Sequence, residues 1–298
     1  MDYFLQIFNT TGIFIILALS LNVINGFCGQ FSLGHAGFFA IGAYAASFLS
    51  TEIQHTYVLS PIILLLLSCL FSFFMATVLG LIVAIPALRL KGDYLAITTL
   101  GFSEIVRIAI INSESLGGSR GFVGIPRLSN SFWIYATVFL TIIVLYRLKK
   151  SKLGRAWQAI SDDEIAAENM GISLFKYKLI AFLIGSSIAG VAGAHFAFLQ
   201  QFIHPSNFSF MWSVIILTMA ILGGLGSISG PIIGAIILTI IPEILRFFGS
   251  EISELRMVLY SLLLIFLMLK KPKGLLGDRE IWELTFFKTF FQKEKKNA

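Results

Sequence analysis

Charged side chains are scarce in this sequence, and their scarcity excludes most soluble folds. Asp, Glu, Lys and Arg make up 13% of the 298 residues and apolar residues make up 57%, whereas soluble domains average about 25% charged residues. Residues 1–88 contain only the acidic side chains of Asp2 and Glu52, and no Lys or Arg. No polar stretch is long enough for a separate soluble domain. The composition is typical of a polytopic membrane protein, whose spans each need ~20 mostly apolar residues.

Motifs for nucleotide, metal and nucleophilic chemistry are missing as well. The sequence has no G-x-x-x-x-G-K-[ST] run, so it lacks the usual loop that cradles ATP phosphates. It also has no HExxH, no CxxC pair and no Ser/His/Asp set suited to a soluble cleft. Cys28 and Cys69 lie in apolar surroundings and are interpreted as packing residues. We therefore expect no catalytic residue, metal or cofactor on this chain, and energy for any transport must come from a partner or an ion gradient.

The net charge of +6 would suit nucleic-acid binding, but its distribution argues against that function. Most Lys and Arg residues follow Tyr146 or Leu269, in one loop and one tail. Cytoplasmic segments of membrane proteins carry such an excess of positive charge. The pattern predicts an N-terminus outside and a C-terminus in the cytoplasm. Because a basic n-region and a cleavage site are absent, we expect the apolar stretch from Phe4 to be a retained span and not a signal peptide.

Apolar runs predict an all-α integral membrane protein with about nine spans in one domain, residues 1–275. The tail, 276–298, places Trp282, Phe286 and Phe290 four residues apart among lysines. That pattern is typical of an amphipathic helix on the inner leaflet, and a frayed end without a function explains it equally well. The predicted spans are approximately 4–24, 33–50, 61–85, 93–111, 131–146, 179–200, 211–227, 231–248 and 256–269.

Two glycine clusters interrupt the apolar runs. One contains Gly26, Gly29, Gly34, Gly37 and Gly42, and the other contains Gly223, Gly224, Gly226, Gly230 and Gly234 beside Pro231. Small residues let membrane helices pack closely, but broken helices that line a substrate cavity carry the same signal. The clusters share a loose pattern that suggests an internal repeat.

A translocation pathway is predicted near these clusters, with polar side chains that make weak contacts to a zwitterion. His35 in the first cluster has two interpretations, a hydrogen bond across helices or a place on the pathway. The predicted pathway residues are Asn22, Gly34, His35, Gly37, Thr98, Thr99, Gly223, Gly224 and Gly226.

Ionisable residues within the predicted spans occur as two pairs of opposite charge, each three positions apart. Glu104 and Arg107 form one pair, and Glu243 and Arg246 form the other. This spacing places both members on one helical face, where they can pair, and charge inside a membrane is costly unless it is paired. Pairing within the helix and contact with another subunit both fit. A proton relay needs a longer chain of such groups, which weakens an ion-coupled mechanism.

The loop at 147–178 concentrates polar residues, and its centre reads SDDEIAAENMGI. Ser161 or Asp162 can cap a helix, acidic residues fill the first turn, and Gly171 can end it. The pattern predicts a helix of about two turns outside the bilayer. A loop of this length exceeds what a simple joint needs, so we expect it to bind a partner in the aqueous phase.

The run I-A-A-E-N-M-G at 165–171 resembles the E-A-A-x-x-x-G signature of the cytoplasmic loop in ABC importer permeases. Ile165 stands where that signature has glutamate, and Glu164 offers a carboxylate one position earlier. Four further segments resemble the M-type permease subunits of branched-chain amino acid ABC importers, in the same order along the chain. They are GQFSLGHAGFFAIGAYAAS at 29–47, GDYLAITTLGFSEIVR at 92–107, GGLGSISGPIIGA at 223–235 and KKPKGLLG at 270–277.

The resemblance implies a coupling helix that docks into an ATPase subunit. It further implies two ATPase subunits that carry ATP and Mg²⁺, a pseudo-symmetric H-type permease, an extracytoplasmic binding protein and a place in the bacterial inner membrane. Gly117, Gly118, Gly121 and Pro126, in the loop at 112–130, are expected to dock the binding protein, although a plain flexible connection fits them too. The expected ATPase-coupling residues are Asp162, Asp163, Glu164, Ala166, Ala167, Glu168 and Gly171.

Two alternatives stay open. The same ABC machinery can serve urea, short amides or another small polar solute. In a different class, a secondary transporter would work alone on an ion gradient.

Overall fold

A computed structural model describes residues 2–56 and 60–247, together with residues 262, 265, 274–277 and 280. These residues form ten α-helices, and within this part of the chain β structure is limited to one isolated bridge between Phe122 and Ile203. The protein is therefore helical, as the composition predicts. The helices are α1 (Asp2–Asn22), α2 (His35–Thr56), α3 (Pro61–Ala87), α4 (Asp93–Ile111), α5 (Ser131–Lys150), α6 (Lys152–Asp162), α7 (Glu164–Asn169), α8 (Leu174–Gln200), α9 (Phe210–Gly223) and α10 (Ser229–Phe247).

Six of these helices are long and apolar enough to cross a membrane, namely α1 to α5 and α8. α9 and α10 are shorter apolar helices and correspond to the seventh and eighth predicted spans. The predicted ninth span, 256–269, lies outside the described residues apart from positions 262 and 265. The chain is a multi-pass helical membrane protein.

α1 does not end at a simple turn but widens into a π-helical turn, Val23–Phe27. Asn25 then folds the following loop, because its side chain bonds both the carbonyl and the N–H of Ser32 at 3.3 Å. The second apolar helix, α2, therefore begins only at His35, after a loop at 28–34 that runs back along the end of α1.

The helices differ sharply in how much of their surface the protein itself covers. In α1, 83% of the best apolar window is buried, whereas in α5 the share is 22%. α1, α2 and α8 thus form the interior, while α3, α4 and α5 lie at the periphery and expose long apolar side chains. Examples of these exposed side chains are Ile62, Leu66, Phe74, Ile82, Ile97, Ile105, Phe139 and Leu140.

The connections gather at two opposite ends of the bundle. At one end, the π turn, the loop at 28–34, α6, α7, the turn at 224–228 and the described tail residues contact one another. We call this the α6–α7 end. At the other end, the loop at 112–130 pairs with the loop at 201–209 through the Phe122–Ile203 bridge.

Candidate functional site

α6 and α7 form a compact two-helix unit that α5 and α8 hold in place. The hydroxyl of Ser151 accepts the N–H of Leu153 and caps α6. α6 buries Trp157, whose Nε1 donates to the carbonyl of Tyr177 in α8 at 2.9 Å. Because this bond joins α6 to α8, the two-helix unit has a fixed place relative to the bundle.

α7 begins and ends with specific caps. The carboxylate of Asp163 accepts the N–H groups of Ile165 at 2.8 Å and Ala166 at 3.0 Å. The expected cap, Ser161 or Asp162, was therefore wrong, because α6 continues through both residues and the chain turns extended only at Asp163. Gly171 ends the helix in a left-handed conformation, with φ of 82°. The N–H groups of Gly171 and Ile172 bond back to the carbonyls of Glu168 and Ala167, which is the Schellman arrangement.

The predicted coupling residues divide into those used inside the chain and those left outside. Ala167 is buried against the core, and Glu164 pairs with Lys178 of α8. Two neighbours that were not among the predicted coupling residues, Ile165 and Met170, have side chains that are 71% and 82% exposed. The remaining predicted residues, Asp162, Ala166 and Glu168, are exposed too. α7 thus presents apolar and acidic side chains together on one short helix.

The two glycine clusters meet at this end of the bundle. A Cβ atom on Gly26 would lie 2.6 Å from the backbone nitrogen of Gly226. Asn22 fixes the contact, because its side chain accepts the N–H of Gly226 at 3.0 Å and donates to the carbonyl of Ser227 at 2.7 Å. Asn22, predicted as a pathway residue, therefore joins the end of α1 to the α9–α10 turn.

α9 and α10 pack backbone to backbone. A side chain on Gly223 would collide with the Gly230 carbonyl, and Gly224 adopts a φ of 118° next to Gly277. The N–H groups of Leu275 and Leu276 bond the free carbonyls at the end of α9, those of Leu222 and Gly223, at 2.8 and 3.1 Å. Residues 274–277, the described GLLG part of the KKPKGLLG segment, thus complete the C-terminus of α9.

Glu280 lies at the start of α10 and is 5% exposed. Its carboxylate accepts the N–H groups of Ile228 and Ser229, the hydroxyl of Ser229 and the ammonium of Lys149. Burial acts to raise the pKa of this carboxyl, but the hydrogen bonds from Lys149, Ile228 and Ser229 outweigh it, so the pKa lies below its ordinary value.

A polar cleft of about 170 Å³ opens beside these contacts, between α6 and the glycine turns. Lys149 and Gln158 provide polar groups to it, and Gly26 and Gly226 form its inner wall. The other lining residues are Phe27, Gly154, Ser161 and Asp162.

Gly34 and Gly37 place the start of α2 directly against α4. A side chain on Gly34 would collide with the Thr99 carbonyl, and a Cβ on Gly37 would lie 3.0 Å from the Cα of Ser103. The Thr99 hydroxyl also accepts the N–H of Leu33 at 3.0 Å. Thr98, its predicted neighbour on the pathway, is half-buried.

His35 is fully buried at the first turn of α2. Ser20 of α1 donates its hydroxyl hydrogen to the Leu17 carbonyl, so the 2.7 Å contact between His35 Nε2 and Ser20 Oγ has the imidazole as donor. His35 Nδ1 is then an acceptor, and the described residues provide no partner for it. Ser213 of α9 bonds the next N–H, that of Ala36.

The predicted charge pairs have different outcomes. Arg107 Nε and Glu104 Oε2 lie 2.7 Å apart, with about 30% of each side chain exposed. The intrahelical pairing is confirmed for these two residues. Glu243 accepts a hydrogen bond from the Tyr3 hydroxyl of α1. The side chain of Arg246 is outside the described residues, so the second pairing stays a prediction.

The loop at 112–130 is built from tight turns at the opposite end of the bundle. Gly117, Gly118 and Gly121 have φ of 81°, 54° and 84°, which favours glycine. His204 Nε2 donates to the Ser119 carbonyl at 3.0 Å. Pro126 is half-buried and Val123 is exposed. The loop is thus anchored to its neighbour at 201–209.

Several residues that hold this arrangement escaped sequence reasoning. In the sequence, Lys149 was interpreted only as one of the basic residues that mark the cytoplasmic side, and Glu280 was assigned to the tail. His195, on α8, bonds Ser129 and Thr137 at 2.9 Å each and so joins α8 to α5. Among the described residues, no group of three or more His, Cys, Asp or Glu side chains is placed to hold a metal ion.

Comparison with known proteins gives the family. The family model of the permease component of branched-chain amino acid transport systems matches residues 3–268. The high-affinity branched-chain amino acid transport permease LivM of Escherichia coli K12 is 37% identical over 302 aligned residues, covering 89% of this chain and 68% of LivM. LivH of the same organism is 26% identical, covering 94% of this chain and 97% of LivH. BraD of Pseudomonas aeruginosa is 24% identical, covering 89% and 92%. The chain belongs to the family of permease components of branched-chain amino acid transport systems, and it is of the M type.

Proposed function

We propose that this chain is the M-type membrane subunit of an ATP-driven importer of branched-chain amino acids. The observation that carries the proposal is α7, a capped helix with an apolar and acidic exposed surface on a unit fixed to the bundle. A surface with exposed Ile165 and Met170 suits a cleft on a partner protein. The chain itself hydrolyses no ATP, and ATP with Mg²⁺ binds to two partner subunits.

In this mechanism α7 seats in the ATPase subunit through Ile165, Met170 and Glu168. Glu164 acts indirectly, since its carboxylate pairs with Lys178 and so holds α7 against α8. Closure of the ATPases then displaces α6 and α7 together. The displacement reaches the glycine turns because Ser161 lies against the loop at Gly29, where a Cβ would be 2.9 Å from the Ser161 hydroxyl.

The translocation pathway runs along the interface between the start of α2, α4 and the α9–α10 turn. Gly34 and Gly37 let α2 touch the backbone of α4, so a small shift of either helix opens or closes the contact. His35 Nδ1 offers one acceptor to a passing ammonium group. The contacts are few because a binding protein selects the solute before it enters.

The remaining partners follow from the surface of the bundle. The apolar faces of α3, α4 and α5 meet lipid and the H-type sister permease. The binding protein docks at the loop at 112–130, where Val123 is 69% exposed. We assign the α6–α7 end to the cytoplasm because of its basic residues. The N-terminus then lies outside, and the chain crosses a bacterial inner membrane nine times.

The test replaces exposed apolar residues at opposite ends of the bundle. Ile165→Lys removes an apolar contact on α7, and Val123→Lys makes the same change at the other end as a matched control. We expect Ile165→Lys to lose ATPase subunits on purification from membranes, while Val123→Lys retains them. Equal ATPase recovery from both variants would contradict the docking role of α7.

The cargo is tested separately on the purified binding protein. Leucine, isoleucine and valine are expected to bind and to be taken up, whereas urea and short amides are not. Binding of urea or an amide in preference to leucine would contradict the proposed substrate but not the proposed ATP-driven mechanism.

A further inference from the structure

The C-terminal residues 274–277 and 280 form a strap across the α6–α7 end. Leu275 and Leu276 bond the last carbonyls of α9, and Glu280 bonds the first N–H groups of α10. The strap thus joins the two sides of the glycine turn at 224–228. A carboxylate at the start of a helix also interacts favourably with the helix dipole.

Both oxygens of Glu280 are used. Oε1 accepts the ammonium of Lys149 at 2.7 Å and the N–H of Ile228 at 3.0 Å. Oε2 accepts the N–H of Ser229 at 3.1 Å and its hydroxyl at 2.8 Å. A carboxylate buried to this degree needs such partners to stay charged, so the position of Glu280 is set by α10 and by Lys149 together.

Lys149 connects this carboxylate to the two-helix unit of α6 and α7. It lies in the last turn of α5, two residues before the Ser151 cap of α6. Its ammonium also lies 5.5 Å from the centre of the Phe27 ring, at the end of the π turn, a distance at which a cation interacts with an aromatic face. One ammonium group therefore contacts the strap and the end of α1 at the joint where α6 begins.

We propose that Glu280 is a positioning residue that passes movement of α6 and α7 to α10 through Lys149. The inference rests on the proposed docking of α7 to an ATPase. Movement of α6 and α7 passes to the loop before α2 through the Ser161–Gly29 contact, and to α10 through the Lys149–Glu280 pair. The same two-helix unit therefore moves both glycine clusters. The ion pair can transmit this movement because hydrogen bonds from Ile228 and Ser229 hold its Glu280 end, while its Lys149 end belongs to the last turn of α5.

The experiment uses the full complex of this chain with its ATPase subunits, sister permease and binding protein in lipid vesicles. Leucine uptake and ATP hydrolysis are measured in parallel, and their ratio reports the coupling. Lys149→Gln removes the ammonium but leaves the bonds between Glu280 and α10. Lys150→Gln is the matched control, because Lys150 bonds Tyr146 on the exposed side of the same helix turn.

We expect Lys149→Gln to keep hydrolysing ATP while leucine uptake per ATP falls at least about fivefold, the lower end of typical coupling effects. Lys150→Gln is expected to have the same leucine uptake per ATP as the unmodified complex. Glu280→Gln is expected to lower leucine uptake per ATP as much as Lys149→Gln does, and Glu280→Asp to lower it less. The double Lys149→Gln, Glu280→Gln variant is expected to have the same uptake per ATP as either single variant, since both substitutions act through one contact.

The outcomes separate the two proposals. An unmodified complex that fails to take up leucine with ATP overturns the proposed function, and the role of the strap with it. An active unmodified complex in which Lys149→Gln and Lys150→Gln have equal ratios overturns the strap alone. If Glu280→Gln does not accumulate in membranes, the comparison of leucine uptake per ATP between Lys149→Gln and Lys150→Gln tests the role of the strap.

Discussion

Gly26 and Gly226 are far apart in the sequence, and their backbones touch in the structure. A Cβ atom on Gly26 would lie 2.6 Å from the Gly226 nitrogen and even nearer the Asn22 side chain. The contact brings together the two glycine-rich segments that the sequence marks as similar. It places the joint between α1 and α2 directly on the joint between α9 and α10.

Gly26→Ala is expected to separate these joints. The added methyl group overpacks a backbone contact, which typically costs about 1–3 kcal/mol. Thermal unfolding in detergent should shift to lower temperature, and leucine uptake should fall with it. Gly101→Ala is the control, because nothing lies within 4 Å of a Cβ there. In a helix that change stabilises by roughly 0.5–1 kcal/mol, so a control as damaged as Gly26→Ala would contradict the packing argument.

Trp157→Phe is expected to loosen the α6–α7 unit. The bond from the indole to the Tyr177 carbonyl is lost, and the net contribution of such a hydrogen bond to stability is about 0.5–1.5 kcal/mol. Limited proteolysis of the loop at 147–178 should become faster while membrane insertion is unchanged. Tyr177→Phe serves as control, since the backbone carbonyl and not the phenol accepts the bond. Identical cleavage rates in both variants would rule out this role of Trp157.

Asp163→Ala is expected to fray α7. Loss of an N-cap typically costs about 0.5–2 kcal/mol, and here two N–H groups lose their acceptor. ATPase recovery on purification should drop, and Asp163→Ser should restore most of it. Asp162→Ala removes a neighbouring carboxylate that is also exposed, without touching the cap of α7. If Asp162→Ala and Asp163→Ala lose ATPase to the same extent, charge and not capping governs docking.

The strap should respond to acid. Because the pKa of Glu280 is lowered in the folded state, its carboxylate contributes stability above the ordinary value of 4.5, and this is lost as pH falls through the lower folded value. The unfolding temperatures of the wild type and Glu280→Gln should therefore differ at neutral pH and converge below pH 4.5. A difference that persists in acid would show that packing, and not charge, holds the strap.

The sequence alone locates most elements of the fold but not the contacts between them. Apolar runs predict α1 to α5 and α8, and Gly171 predicts the end of α7 by its freedom at positive φ. The capping residue, Asp163, lies one or two positions after the predicted Ser161 or Asp162, because both of these residues fit inside α6. Local patterns decide such features, so the error is small.

Contacts between distant segments could not be predicted in this way. Glu164 seemed free to meet a partner until the fold placed Lys178 beside it. Glu280 seemed part of a tail because the segment around it mixes acidic, basic and apolar residues, and nothing in that mixture marks one carboxylate as buried. Asn22 was expected on a pathway, and its two bonds to the turn at 226–227 appear only once α1 and α9 are adjacent.

The most direct test of the account is leucine uptake into vesicles that contain this chain, measured with and without its partner subunits. We expect accumulation only when the ATPase subunits, the sister permease, the binding protein and ATP are all present, and none with this chain alone under a proton or sodium gradient. Gradient-driven accumulation by the chain alone would contradict it and indicate a secondary transporter.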